Sequence, residues 1–148
     1  TIMIKNYIRG IWRIIPGNGK SIGDYGFIDD VVEGHIRAME KGKSGQRYIL
    51  GGENASFDDF FRIVKKMTGK NRILLRIPVS ILVGVAHLML LWAKISGKSP
   101  LITPALMRKY SHNYKISTSK AEQEIGYKFT SLEEGVEKTV KWLGEFNF

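Results

Sequence analysis

Seventeen consecutive residues, Ile77 to Ala93, carry no Lys, Arg, Asp or Glu, and any fold of this chain must find cover for them. The run reaches the lower limit for a membrane-spanning helix, roughly 17 to 25 residues. Pro78, Ser80, Gly84 and His87 inside it count against spanning. Helical spacing puts Ser80, Gly84, His87 and Leu91 on one face, so a small, partly polar face opposes a greasy one. Three placements compete: a helix buried in the core or in a subunit interface, a helix lying on a membrane surface, and a true span. The first is preferred. Trp92 and Lys94 at its end suit an interfacial anchor and a core edge equally.

A chain of 148 residues supports one core and is too short for two ordinary domains, so residues 1–148 are read as a single domain. With 43% hydrophobic and 25% charged residues, global disorder is excluded. The absence of Cys removes disulfides, thiolate metal sites and Cys nucleophiles, and fits a reducing, cytoplasmic setting. The net charge of +9 favours anionic partners. The basic residues read as spread along the chain in short groups such as Lys65-Lys66, which favours a solvated surface over a nucleic-acid groove. Peripheral attachment to a membrane is the alternative location. The chain opens on Thr1, and Lys5 and Arg9 interrupt any apolar signal segment.

Periodicity and punctuation divide the chain. Residues 2–9 read as helical turns, and Ile11 to Ile15 as an apolar run stopped at Pro16-Gly17-Asn18-Gly19. Tyr25 to Ile28 reads as extended, leading into a helix whose start Asp29 and Asp30 complement. Val31, Val32, His35, Ile36 and Met39 recur at helical spacing before Gly42, with His35 on the inward face. Gln46 to Leu50 is a strand candidate. Ser56 and Asp59 form a capping-box variant opening a helix from Phe57 to Thr68, with Phe57, Phe60, Phe61, Val64 and Met67 as its buried stripe and Gly69 as its stop. Ile73 to Ile77 is extended, and Pro78 starts the long helix that ends before Gly97. Pro104 starts another. Tyr114 to Ser117 looks extended, Ser119 to Ile125 helical, and Ser131 opens the last helix, with Val136, Val140 and Leu143 inward. The pattern is α/β early and mostly helical late.

Familiar chemical motifs fail on spacing. Gly19-Lys20-Ser21 lacks a Gly five residues earlier, where Ile14 stands, and no helix follows directly, so the phosphate cradle of a P-loop is missing. Neither Gly23 with Gly26 nor Gly42 with Gly45 completes a dinucleotide fingerprint between strand and helix. His35, His87 and His112 show no metal-ligand spacing and read as structural. No G-x-S-x-G elbow supports a serine nucleophile.

Three stretches in register resemble the extended short-chain dehydrogenases/reductases, the superfamily of NAD-dependent epimerase/dehydratases with its dihydroflavonol-reductase-like branch. Tyr25 to His35 is similar to the family's V-D-D-V-A-x-G-H segment. Arg47 to Asn54 is similar to R-Y-I-L-G-G-E-N. Ser117 to Trp142 matches its closing pattern through Ser119-Lys120-Ala121, Ile125-Gly126-Tyr127, Leu132-Glu133-Glu134-Gly135 and Trp142. The resemblance covers nearly the whole chain and implies the C-terminal portion of a Rossmann-type protein, mostly helical with a few short strands and without the dinucleotide-binding half.

That family carries a glycine-rich NAD(P) motif and a Tyr-x-x-x-Lys pair, and this chain has neither: none of its 6 tyrosines is followed by Lys four residues on. The ammonium lowers the pKa of the phenol, and hydride transfer needs the nicotinamide beside it. The resemblance therefore implies a substrate-binding portion that is not catalytic alone, with NAD or NADP bound by the full-length protein and none by this chain. Its expected partners are a small carbonyl, hydroxyl or sugar-type substrate and an N-terminal Rossmann half. Without that half, Ile28, Val32 and Ile49 are expected to be left partly exposed, and the chain to dimerise, to distort or to need its missing part. The stretch from Trp12 to Tyr25 resembles the substrate-facing loop, which makes Arg13, Lys20 and Tyr25 the candidate contacts. Many relatives that handle nucleotide sugars place an Arg shortly before this strand, where Asp24 stands. The competing function is a stand-alone basic binding or scaffold protein on an anionic membrane surface or nucleic acid.

Overall fold

A computed structural model describes residues 1–100, 102–110 and 112–145. Along the chain lie α1 (Ile2–Ile8), β1 (Ile14–Pro16), β2 (Ile22–Tyr25), α2 (Ile28–Lys41), β3 (Glu53–Ser56), α3 (Phe57–Thr68), β4 (Leu75–Ile77), α4 (Val79–Ser96), α5 (Pro104–Lys109), α6 (Ser119–Ile125) and α7 (Leu132–Glu145). β1 pairs with β4 in parallel, Ile15 opposite Arg76. β2 pairs with β3 antiparallel, Ile22 opposite Ser56 and Tyr25 opposite Glu53. The fold is the expected α/β arrangement, mostly helical with a few short strands.

α3 is the centre of the main core. Its first turn is capped by the Ser56 hydroxyl, which accepts the Asp59 N–H at 3.1 Å and donates to the Asp59 carboxylate at 2.6 Å. Gly69, in the left-handed region at φ 65°, ends it. Phe57, Phe60, Phe61 and Val64 are buried along one stripe, with Met67 at its edge. They meet Ile4 and Tyr7 of α1, Ile15 of β1, and Leu132, Val136 and Leu143 of α7. Aromatic contacts give this core its order: Tyr25 stacks on Phe60 at 4.9 Å, Phe61 lies 5.7 Å from Tyr7, and Tyr110 meets Phe57 edge-on at 5.2 Å.

The three stretches that carry the resemblance are tied to one another. The Asp24 carboxylate accepts the Gly52 N–H at 2.8 Å. Asp30 accepts both the backbone N–H and the hydroxyl of Thr130, at 2.6 and 2.9 Å. Glu53 accepts the Leu132 N–H at 2.8 Å, and the buried Tyr127 hydroxyl donates to the Gly51 carbonyl at 2.7 Å. The glycines follow from these approaches. A Cβ at Gly52 would lie 2.1 Å from the Tyr25 carbonyl oxygen, and one at Gly34 would lie 2.8 Å from both Leu50 and the Tyr127 ring.

Several expectations need correction. The extended segment before α2 is Ile22–Tyr25, because β3 supplies its ladder partner there, and Ile28 already belongs to the helix. Asp29 and Asp30 lie in the first turn of α2, where their charge complements the helix start as expected, while the N-cap position itself is Phe27. Gln46 to Leu50 and Tyr114 to Ser117 form no strand. An extended segment becomes a strand only when a neighbour supplies a ladder, and the first has none. The second is held instead by the Asn54 side chain, which brackets Ile116 N–H and C=O, and by the Tyr114 N–H on the Ile22 carbonyl.

The stripe on α2 also faces the other way. Gly34 is its one buried position, and His35 is exposed, its Nδ1 2.7 Å from the Val31 carbonyl. Ile28, Val32 and Ile49 are 65%, 53% and 55% exposed, the conditional expectation for a chain without the sheet these residues would cover. α4 is not a core helix either. Only Leu82 and Ala86 are buried, against Met107 of α5, and His87 is exposed with Nδ1 2.8 Å from the Val83 carbonyl.

Candidate functional site

Three clefts open around Met3 of α1. The first, of 260 Å³, lies between β2 and α7 and is lined by Tyr25, Phe60, Ser131 and Val136. The second, of 440 Å³, lies between β2 and the end of α5, lined by Tyr25, Phe57, Lys109, Tyr110 and Tyr114. The third, also 440 Å³, lies between β1 and the α4–α5 pair, lined by Ile11, Trp12, Arg13, Leu82, Met107 and Tyr110. Met3 and Tyr110 belong to both the second and the third cleft, so the two adjoin.

The candidate contacts are divided among these clefts. Tyr25 stands between the first and second, its ring held flat on Phe60. Arg13 lies exposed at the third, with Nε donating to the Gly10 carbonyl at 2.7 Å. Lys20 is exposed on the turn after β1 and lines none of the three. Asp24 is committed to Gly52 and is part of the scaffold. Tyr110 and Met3 emerge as lining residues that nothing in the sequence marks, because α1 and the end of α5 meet only in the folded chain, and Trp12, which opens the stretch resembling the substrate-facing loop, lines the third cleft beside Arg13.

The turn from Gly17 to Gly19 offers no phosphate cradle. It runs from β1 into β2, and the nearby helix start, at α3, already has its first N–H groups occupied: Asp58 donates to the Gly19 carbonyl and Asp59 to Ser56. The Asp58 carboxylate also faces this turn, held by the Arg76 guanidinium at 3.1 Å, and it repels an anion there. These residues do not fit the pyrophosphate of a dinucleotide.

One buried donor, on a residue that lines the third cleft, stands out. The Trp12 indole N–H is buried and has no hydrogen-bond partner among the described residues. Leaving such a group unpaired costs about 1–3 kcal/mol, so a native structure is expected to give it a reason.

The phenols respond to the same packing. Burial pushes Tyr25 well above its ordinary value, with the Tyr110 and Asp59 charges adding to it, and burial raises Tyr110 as well. Tyr127 is raised first by burial and then by Asp30, Asp24 and Glu122. A phenol raised in the fold is protonated there and ionises more readily when unfolded. The stability that these phenols contribute is therefore complete below pH 10, the ordinary phenol value, and falls as pH rises beyond it. Urea midpoints measured upward from neutral pH are expected to hold and then drop above pH 10. Tyr127→Phe is expected to make that drop shallower, with Tyr25 and Tyr110 supplying the rest.

The family model described as GDP-mannose 4,6 dehydratase matches residues 2–139. The chain is similar to 3beta-hydroxysteroid-dehydrogenase/decarboxylase isoform 1 of Arabidopsis thaliana, 29% identical over 143 residues, covering 86% of this chain and 33% of that protein. It is similar to a putative dihydroflavonol 4-reductase of Synechocystis, 30% identical over 124 residues, covering 78% and 35%. Among solved structures, the crystal structure of gox2253 matches with TM-score 0.75 and 29% identity, over 98% of this chain and 43% of that one. The fold is shared with UDP-glucose 4-epimerase from Thermotoga maritima, solved with UDP-glucose, at TM-score 0.70 and 23% identity over 99% and 39%. The chain thus spans about a third of the length of these curated relatives.

Proposed function

Because this chain belongs to the GDP-mannose 4,6 dehydratase family, as the C-terminal part of an extended short-chain dehydrogenase/reductase, we propose that it is the substrate-binding portion of an NAD(P)-dependent oxidoreductase or epimerase/dehydratase and is not catalytic alone. The cofactor, bound by an N-terminal half, supplies hydride transfer. This chain's own residues bind and orient the substrate and keep water from it. The substrate is a small, mostly apolar carbonyl or hydroxyl compound seated in the third cleft.

The observation that carries this reading is the third cleft itself, walled by Ile11, Trp12, Leu82 and Met107 with Arg13 at its rim. Apolar walls with few convergent polar groups select an apolar body with one oxygen. The Trp12 ring walls the cleft, and Arg13 at its rim donates to that oxygen. Tyr25, one cleft away, contacts the far end of a longer substrate. The Arabidopsis relative is named for a steroid substrate, which has this chemistry. A sugar nucleotide would instead need anion contacts, and the walls of the third cleft supply Arg13 alone.

The test is fluorescence titration of the native polypeptide with a 3-ketosteroid probe and, separately, with UDP-glucose. Saturable quenching by the ketosteroid, abolished in Trp12→Phe and weakened about tenfold in Arg13→Ala, is the expected result. Tight binding of UDP-glucose with no response to the ketosteroid would overturn the substrate class. Absence of NAD(P) binding by the native polypeptide would overturn the enzyme reading itself.

A further inference from the structure

We propose that α4 seats this protein on an anionic lipid bilayer, lying in the headgroup region with its C-terminal half inserted. The first observation is exposure. Ile81, Val85, Leu88, Leu91, Trp92 and Ile95 are exposed on one helix, Leu88 at 66% and Ile95 at 86%. Its two buried residues, Leu82 and Ala86, fall in the first part, so the turns from His87 to Ser96 contribute nothing to the core. A large exposed apolar surface of this kind marks an interaction site.

The second observation is charge, and it corrects the impression of evenly spread basic residues. Residues 60–121 hold twelve Lys and Arg and no Asp or Glu, whereas the rest of the chain holds eleven against fourteen acids. All net positive charge thus belongs to the part that contains α4 and α5. Arg62, Lys66 and Arg76 of this segment are paired with carboxylates, all next to α3. Lys94, Lys98, Arg108 and Lys109, at the ends of α4 and α5, are exposed and meet no carboxylate among the described residues.

Charge complementarity selects the occupant. A second copy would bring a like-charged surface against this one. Nucleic acid would match the cations but leave six large apolar side chains uncovered. An anionic bilayer satisfies both: headgroups for the cations, each worth about fivefold in partitioning, and the acyl boundary for the apolar face. α4 is also long and apolar enough to cross a membrane. Its packing on Met107 through Leu82 and Ala86 ties one flank to the folded body, so it lies on the membrane rather than crossing it. The third cleft shares Leu82 with this helix, which places an apolar binding site beside the bilayer.

The experiment is flotation of the native polypeptide with phosphatidylcholine vesicles containing about 30 mol% phosphatidylserine. The protein is expected to float with them, to bind pure phosphatidylcholine at least tenfold more weakly, and to lose affinity as salt rises. Trp92 emission should shift to the blue on binding, and the shift should vanish in Trp92→Phe. The double variant Leu91→Asp/Ile95→Asp, at exposed positions that leave the fold intact by circular dichroism, is expected to bind about a hundredfold more weakly. No flotation overturns the proposal. So does unchanged flotation of the double variant, salt-sensitive binding to duplex DNA without flotation, or a vesicle-free dimer that the double variant abolishes.

Discussion

Tyr127→Ala is expected to cost about 3–5 kcal/mol of stability, among the largest effects of any single substitution in this chain. The ring is 2% exposed and packs between α2 and the segment before β3, touching the position of Gly34 and the Leu50 side chain. Its hydroxyl satisfies the buried Gly51 carbonyl. Truncation leaves a cavity the size of an aromatic ring and orphans that carbonyl at the same time. Tyr127→Phe separates the two effects: it keeps the ring and loses only the hydrogen bond, for about 1–3 kcal/mol. Urea unfolding of both variants reads the difference. A loss below about 1 kcal/mol for the alanine variant would mean that the three resemblance stretches are not held together through this residue.

The same residue explains what the sequence could reveal. Helices with their own signals are legible: Ser56 and Gly69 bracket α3, Pro78 and Gly97 bracket α4, and Gly126 stops α6. Short strands are not, because a strand is a property of two segments. Ile22–Tyr25 becomes one through β3, whereas Gln46 to Leu50, with an equally good pattern, has no partner. The resemblance stretches were readable as a family pattern, but their physical content was not. Nothing in one dimension marks the role of Asp24, Asp30, Glu53 and Tyr127, which the fold spends on joining segments 28 to 100 residues apart. Trp12 is the converse case. Only packing shows that its N–H is buried and unpaired, so spacing could not have singled it out. The helical stripe on α2 was visible as a pattern, but periodicity names the apolar face without saying what covers it.

That uncovered face leads to the second large effect. On the proposal that an N-terminal dinucleotide-binding half packs there, Val32→Asp/Ile36→Asp is expected to leave the 148-residue chain within about 0.5 kcal/mol of its original stability, because both side chains already face water. In the native polypeptide carrying that half, the same pair would be sealed against an apolar sheet. Two carboxylates without partners would lose their hydration, at several kcal/mol each, on top of the apolar contact removed. The whole protein is then expected to lose its shared unfolding transition and melt in two steps, with the dinucleotide-binding half released at lower denaturant. Calorimetry on both forms decides the matter. A single, unshifted transition in the native polypeptide would mean that α2 is not the contact, and that its apolar stripe faces something other than the cofactor-binding sheet.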